Sequence, residues 1–330
     1  MARWACRLLT VAGALLVVVA GTAGVGWYLA QDYLRSPGPL QAEAVVELPR
    51  GSGVAAIAAR LAAAGTIEHP WAFVALARLT GRDRGLQAGE YAIQPGATPE
   101  AVMALLESGH VLLHPVAVPE GLTVHEVYGL LRASEVLAGD LPEPPPEGSL
   151  LPETYLVPRG EARARVVERM RAGMRAALEQ LWADRDADLP LRTPEEALTL
   201  ASIIEKETAK PEEYRLVAAV LINRLRRGMK LQTDPTVIYA LADGKGALGR
   251  ELTRADLALD HPYNTYAVEG LPPGPIANPG RAALAAALHP APVNYLYFVA
   301  DGNGGHAFAA TLEEHNRNVA RWRRLRRQAP

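Results

Sequence analysis

The run Leu198-Thr-Leu-Ala-Ser-Ile-Ile-Glu-Lys-Glu-Thr208 is apolar for most of its length and then brings Glu205, Lys206 and Glu207 together. A carboxyl at the end of so apolar a stretch is a candidate proton donor. On a helix, Leu198, Ala201, Ser202, Thr208 and Ala209 share the Glu205 face at three- and four-residue offsets. Glu207 lies about 200° away around the axis, so the two carboxylates cannot serve one site as a pair. Apolar neighbours and a place near the helix C-terminus, just before Pro211, both disfavour ionisation. The expected pKa is therefore raised, which suits an acid working near neutrality. Periodicity by itself leans to the plainer alternative, a surface glutamate at a fraying helix end paired with Lys206 or Lys210.

The loops that follow supply polar and aromatic groups. Leu231-Gln-Thr-Asp-Pro-Thr236 offers Gln232 and Thr233, and Tyr263-Asn-Thr-Tyr266 offers Tyr263, Asn264 and Tyr266. Amide donors beside flat rings are what sugars bind: C–H faces stack on the rings and hydroxyls take the amides. Tyr263 and Tyr266 fit a core role with satisfied hydroxyls equally well, and Asp234 reads as a helix cap. Gly270-Leu-Pro-Pro-Gly-Pro-Ile-Ala-Asn-Pro-Gly280 is too rigid for a linker and fixes one backbone path, either as a cleft wall or as a structural turn. Other constellations fail. His110 and His114 flank an extended Val-Leu-Leu and are not expected to share a metal, and no other pattern calls for a metal or cofactor. There is no H-E-x-x-H, G-x-S-x-G or Walker loop. A net charge of -2 and the lack of a basic stripe with interleaved aromatics exclude a nucleic-acid binder. The basic C-terminal segment Arg317–Arg327 reads as a solvated helix face.

Several elements must position these residues. Ala44–Pro49 and Glu90–Ile93 read as strands, and Ser52–Ala64 and Pro70–Thr80 as helices. Thr98 caps a helix over Pro99–Glu107, Val111–Val118 should be extended, and a helix starts at Thr123. Pro142–Gly148 is a stiff, proline-rich spacer. Leu150–Val157 reads as extended and Glu161–Ala183 as a long amphipathic helix. Thr193 with Glu196 makes a capping box, with Pro194 at the first helical position. Pro211 opens a further helix ending at Gly228; Asp234-Pro235 and Asn278-Pro279 look like cap-plus-proline starts. Asn294–Ala300, the turn Asp301–Gly305 and His306–Ala309 make a hairpin, and a last helix runs from Thr311.

Leu8–Ala30 carries no charge and, as a helix, spans about 34 Å, enough to cross the hydrocarbon core. Arg3 and Arg7 precede it and Asp32 follows, which leaves the N-terminus in the cytoplasm. A cleaved signal peptide is the alternative, although its apolar core is usually only about 7–15 residues. The lone Cys6 excludes an internal disulfide framework.

Seven ordered blocks then add up to a resemblance. They are Ala201–Thr208 (ASIIEKET), Ile222–Leu225 (INRL), Leu231–Tyr239 (LQTDPTVIY), Tyr263–Tyr266 (YNTY), Gly270–Gly280 (GLPPGPIANPG), Ala287–Pro290 (ALHP) and Tyr295–Gly302 (YLYFVADG). Over roughly residues 148–318 the chain resembles the endolytic murein transglycosylase family, the YceG-like or MltG-type proteins. The resemblance implies an α+β protein: a cytoplasmic N-terminus (1–7), a transmembrane helix (8–30), a linker (31–43), a LysM-like module (44–115), a connecting module with the proline-rich spacer (116–147), and a catalytic domain (148–330). It implies cleavage of the β-1,4 bond between N-acetylmuramic acid and N-acetylglucosamine to leave 1,6-anhydro ends, outside the plasma membrane. Its implied partners are glycan strands, the membrane and peptidoglycan synthases such as penicillin-binding proteins. The family's catalytic glutamate maps onto Glu205, and the expected substrate contacts are Gln232, Thr233, Tyr263, Asn264, Tyr266 and His306. Two rivals stay open: a non-catalytic peptidoglycan-binding scaffold for the synthases, and a conventional hydrolase.

Overall fold

The computed structural model describes residues 2–328 and forms a mixed α+β protein in two compact units, residues 1–114 and 115–330. The expectations resting on Arg3, Cys6 and Arg7 concern side chains outside the described ones. Helix α1 (Ala2–Arg35) contains the expected apolar span and continues past it, and Leu34 near its end enters the core of the first unit. Among the described residues, Leu15–Arg35 is the one stretch of helix long and apolar enough to cross a membrane, by length and composition.

The rest of the first unit is β1 (Ala44–Leu48), α2 (Val54–Ala63), α3 (Pro70–Leu79), β2 (Gly89–Ile93) and α4 (Pro99–Ser108). β1 and β2 pair antiparallel, with Ala44 opposite Ile93 and Leu48 opposite Gly89. Period-two alternation turns Val46 and Leu48 inward, onto Leu61, Phe73, Tyr91 and Leu106. Thr98 caps α4 by accepting the Ala101 N–H at 3.1 Å. His114 hydrogen-bonds Glu90.

β3 (Leu113–Ala117) leads into the second unit, which continues with α5 (Val124–Ala133), β4 (Leu137–Ala138), β5 (Thr154–Pro158), β6 (Glu161–Ala162) and α6 (Arg163–Ala183). β3 pairs with β5, and β4 runs parallel to β6. The segment expected to be a connecting module is part of this unit's core: Val116, Val118, Val127 and Leu131 pack with Leu150, Val157, Val166 and Met170. The proline-rich stretch is held too, since Glu143 O accepts the Tyr128 hydroxyl and Glu147 is turned inward. Thr123 and Glu126 make a complete capping box at α5.

A second core is built on α7 (Pro194–Glu207), in which all eight residues from Ala197 to Ile204 are buried. Burial on every side explains why this helix is apolar all round rather than striped. Its two hydroxyls are spent locally, Thr199 on Glu195 O and Ser202 on Thr199 O. Thr193 accepts the Glu196 N–H, but the Glu196 carboxylate takes the Arg192 N–H instead of closing the box on Thr193. Around α7 stand α8 (Tyr214–Arg226), entered through a 3-10 turn at Pro211–Glu213, α9 (Asp234–Ala242) and α10 (Arg281–Leu288). The hairpin of β7 (Tyr297–Ala300) and β8 (His306–Ala309) and the final helix α11 (Leu312–Gln328) complete the unit.

Candidate active site

Glu205 sits in the last turn of α7, half-buried, directly after the eight buried residues. Both of its oxygens are engaged. The Tyr214 hydroxyl donates to Oε1 at 2.6 Å, and the Gly280 N–H donates to Oε2 at 2.9 Å. The sequence suggests a hydrocarbon sheath around this carboxyl; the apolar surface belongs to the residues before it, while the carboxyl meets polar donors. Tyr214 is itself buried, and burial together with its bond to Glu205 pushes its phenol well above the ordinary range. A fixed carboxyl with one hydroxyl and one amide partner has a defined direction, as a proton-transferring group requires.

The Gly270–Gly280 block delivers the amide. Ile276 N–H donates to Ser202 Oγ at 3.0 Å, so the hydroxyl three residues before Glu205 fastens the block to α7. Asn278 N–H donates to Leu122 O and Gly121 N–H to Asn278 O, both at 2.9 Å. The Asn278 side chain takes Leu150 N–H and donates to Leu122 O and Glu147, so it cross-links three segments and is not a helix cap. Gly280 occupies the cap position of α10. The Glu120 carboxyl lies directly over it: an added Cβ would lie 1.7 Å from Glu120 Oε1, so that exposed side chain would have to move. Glu120 thus reaches the same glycine that binds Glu205. Desolvation, and then the Glu205 charge, push the Glu120 carboxyl upward.

The other expected site residues are placed elsewhere. Asn264 is fully buried; its amide donates to Leu257 O and Leu259 O and its oxygen takes Tyr266 N–H, so no atom is left for a ligand. Thr233 is equally spent, in a buried hydroxyl triad with Thr236 and Thr265. The Tyr266 hydroxyl donates to Asp234 at 2.6 Å, and Asp234 is therefore a partner of Tyr266 within α9 and not its cap. Glu207 lies near this pair, pushed up to about 8 by burial and then by the Asp234 charge against the pull of Arg224. Gln232 is exposed, in a left-handed backbone conformation with φ 51°. Tyr263 packs on Tyr239, ring centres 4.9 Å apart. His306 is gripped by Glu213, through Nδ1 at 2.7 Å and its own N–H at 2.9 Å. Of the seven, the structure puts Glu205 at the carboxyl site. Tyr263 lies against the Gly270–Gly280 block, near Gly274.

Residues 46–321 match the model of the YceG-like family. The chain belongs to that family. It is 31% identical to a Bacillus subtilis protein named endolytic murein transglycosylase, over 82% of each chain. It is 30% identical to a Streptococcus pneumoniae protein of the same name, over 92% of this chain and 64% of that protein. It is also similar to the crystal structure of a putative YceG-like protein from Listeria monocytogenes, at 28% identity and a TM-score of 0.49, over 84% of this chain and 99% of the other.

Tyr214, Gly280 and Glu120, which the sequence reading did not single out, surround the carboxyl of this YceG-like chain. Lys206, the residue after Glu205, lines a cavity of about 350 Å³ with Thr123, Glu126, Tyr239, Ile276 and the loop 246–250. Gly121 is near both Glu205 and Lys206, and the Lys206 amine donates to Gly121 O at 3.0 Å. Behind the site, Glu147 Oε1 accepts Val124 N–H, Gly148 N–H and the Asn278 amide.

Burial pushes Glu147 from the ordinary 4.5 to about 7 against those donors. A carboxyl whose folded pKa is raised stabilises the fold fully below its unfolded value and loses that contribution as pH rises through about 7. Glu147→Gln keeps the accepting oxygen and cannot ionise. Wild type should therefore lose about 1–3 kcal/mol relative to the glutamine variant between about pH 5 and pH 8. Thermal melts of both proteins across that range check this; parallel Tm curves would refute it.

Proposed function

We propose that this chain is a lytic transglycosylase that cuts the β-1,4 bond between N-acetylmuramic acid and N-acetylglucosamine within peptidoglycan strands, leaves 1,6-anhydro ends and so limits strand length. One observation supports it above the others: a carboxyl at the end of a buried helix, held at both oxygens by Tyr214 and Gly280. The names carried by its relatives agree.

Glu205 gives its proton to the glycosidic oxygen as the bond from C1 breaks, and N-acetylglucosamine leaves with that proton. The C6 hydroxyl of the muramic acid closes on C1, and the Glu205 carboxylate takes the hydroxyl's proton. The carboxyl is restored and no water is consumed. Hydrolytic glycosidases generally need a second group to activate water or attack the sugar; here the substrate brings its own nucleophile.

The half-buried ring of Tyr263 and the amide of Gln232 are the remaining candidates for sugar contact, with His306 on the β-hairpin. The N-terminal helix anchors the chain in the plasma membrane with its first residues in the cytoplasm, and the chain after the helix lies outside. Residues 44–115 form the LysM-like module, and peptidoglycan synthases are the natural partners of an enzyme that trims nascent strands.

Detergent-purified full-length protein incubated with murein should release anhydro-ended fragments, read by mass spectrometry. Hydrolysis adds about 18 Da per cut, so fragments at the hydrated mass would establish a hydrolase. Co-sedimentation with murein and no product at all would favour the scaffold.

A further inference from the structure

The turn Val118–Leu122 is held from several sides. Val118 N–H donates to Glu153 O at 3.0 Å, Gly121 and Leu122 exchange bonds with Asn278, and the Lys206 amine donates to Gly121 O. Gly121 adopts φ 76°, which lets the backbone turn sharply under Glu120. The Glu205 stem lies against the next residue along, since a Cβ on Gly121 would meet Glu205 Cγ at 3.5 Å. Gly280 touches both side chains: its N–H binds Glu205, and its α-carbon underlies the Glu120 carboxyl. Those contacts and standard bond lengths keep the two carboxyls within about 8 Å of each other.

We propose that Glu120 is a positioning residue whose carboxyl forms a charge-coupled pair with Glu205, so that the pair retains one proton for the glycosidic oxygen. Its catalytic meaning rests on the transglycosylase reading; the coupling itself does not. The charged and titratable groups facing the pair are few. From α7 comes Lys206, whose amine is on Gly121 O; from α8 comes Tyr214, already donating to Glu205; from α10 comes Arg281, paired with Glu153 at 2.9 Å. Among the described residues neither carboxyl forms an ion pair; the Lys206 amine and the Arg281 guanidinium are directed to Gly121 O and Glu153 instead.

In such a pair each negative charge disfavours ionisation of the other carboxyl. Repulsion grows when Glu205 gives its proton to the leaving sugar and is relieved when it takes the proton of the C6 hydroxyl. Burial and the Glu205 charge acting on Glu120 point the same way.

The test uses the full-length protein in detergent. Glu120→Gln should lower kcat for murein cleavage by about 10–100-fold with little change in KM. The alkaline limb of its kcat/KM profile should move about one pH unit lower, and Glu120→Asp should restore the limb and part of the rate. Independently of turnover, ¹³C-carboxyl NMR should show the Glu120 titration midpoint falling about one pH unit in Glu205→Gln, because coupling is reciprocal. An unchanged Glu120 midpoint together with an unmoved limb would overturn the proposal. Coupling seen by NMR in a protein that releases no anhydro product would sink the transglycosylase reading and leave the pair standing.

Discussion

Glu205→Gln should remove murein cleavage while leaving the fold in place. The glutamine is the same size, and one oxygen still accepts a bond where the carboxylate accepts from Tyr214 and Gly280. The lost function is proton transfer, which is worth about 10²–10⁴-fold in rate. The lost stability is small, because at most one neutral hydrogen bond is exchanged, about 1 kcal/mol. Anhydro-muropeptide release per hour, set against a far-ultraviolet circular dichroism melt, separates the two quantities. A variant that kept more than a tenth of the wild-type rate would show that the carboxyl is not the acid. A variant that lost activity only because it unfolded would show a depressed Tm instead.

The resemblance rather than periodicity gives Glu205 its expected role, but its candidacy was legible locally: an apolar run, a helix end, a charge. The same holds for Thr98, Thr123 and Thr193, whose caps are decided within four residues. What could not be read is the company Glu205 keeps. Glu120 and Gly280 lie 85 and 75 positions away in the chain, and no spacing rule links a turn before one helix to the end of another. Tyr214 is closer, nine residues on, but Pro211 interrupts the helical register that would have placed it. The errors also share a cause. Loops rich in Asn and Thr look like ligand sites, yet a loop that packs into the interior must satisfy its own backbone. Asn264, Thr233 and Asn278 are used up in that way, each turned inward onto carbonyls, amides or hydroxyls of neighbouring segments. Their polarity belongs to the scaffold that holds Gly280 in place.

Gly280→Ala is the sharpest test of that scaffold, because the backbone there is ordinary. With φ -77° and ψ 172°, Gly280 could be any L-residue on conformational grounds. The penalty is steric alone: the new methyl would lie 1.7 Å from Glu120 Oε1 and 2.2 Å from its Cδ. The exposed Glu120 side chain swings away from Gly280, the easier outcome, or the α10 entrance shifts and takes the Gly280 N–H away from Glu205. Both outcomes leave the hydrophobic cores untouched, so the fold should survive with a loss of about 1–2 kcal/mol. Activity should fall about 10²-fold, since a 1 Å misplacement at the reacting group costs that much. A double-mutant cycle identifies the cause. In a Glu120→Ala background the three atoms nearest the new methyl are gone, so adding Gly280→Ala should cost little further activity. If the alanine at 280 is as damaging there as in wild type, the harm comes through the Glu205 amide partner rather than through Glu120. Full activity in the single Gly280→Ala variant would mean that the glycine does not bring the two carboxyls together.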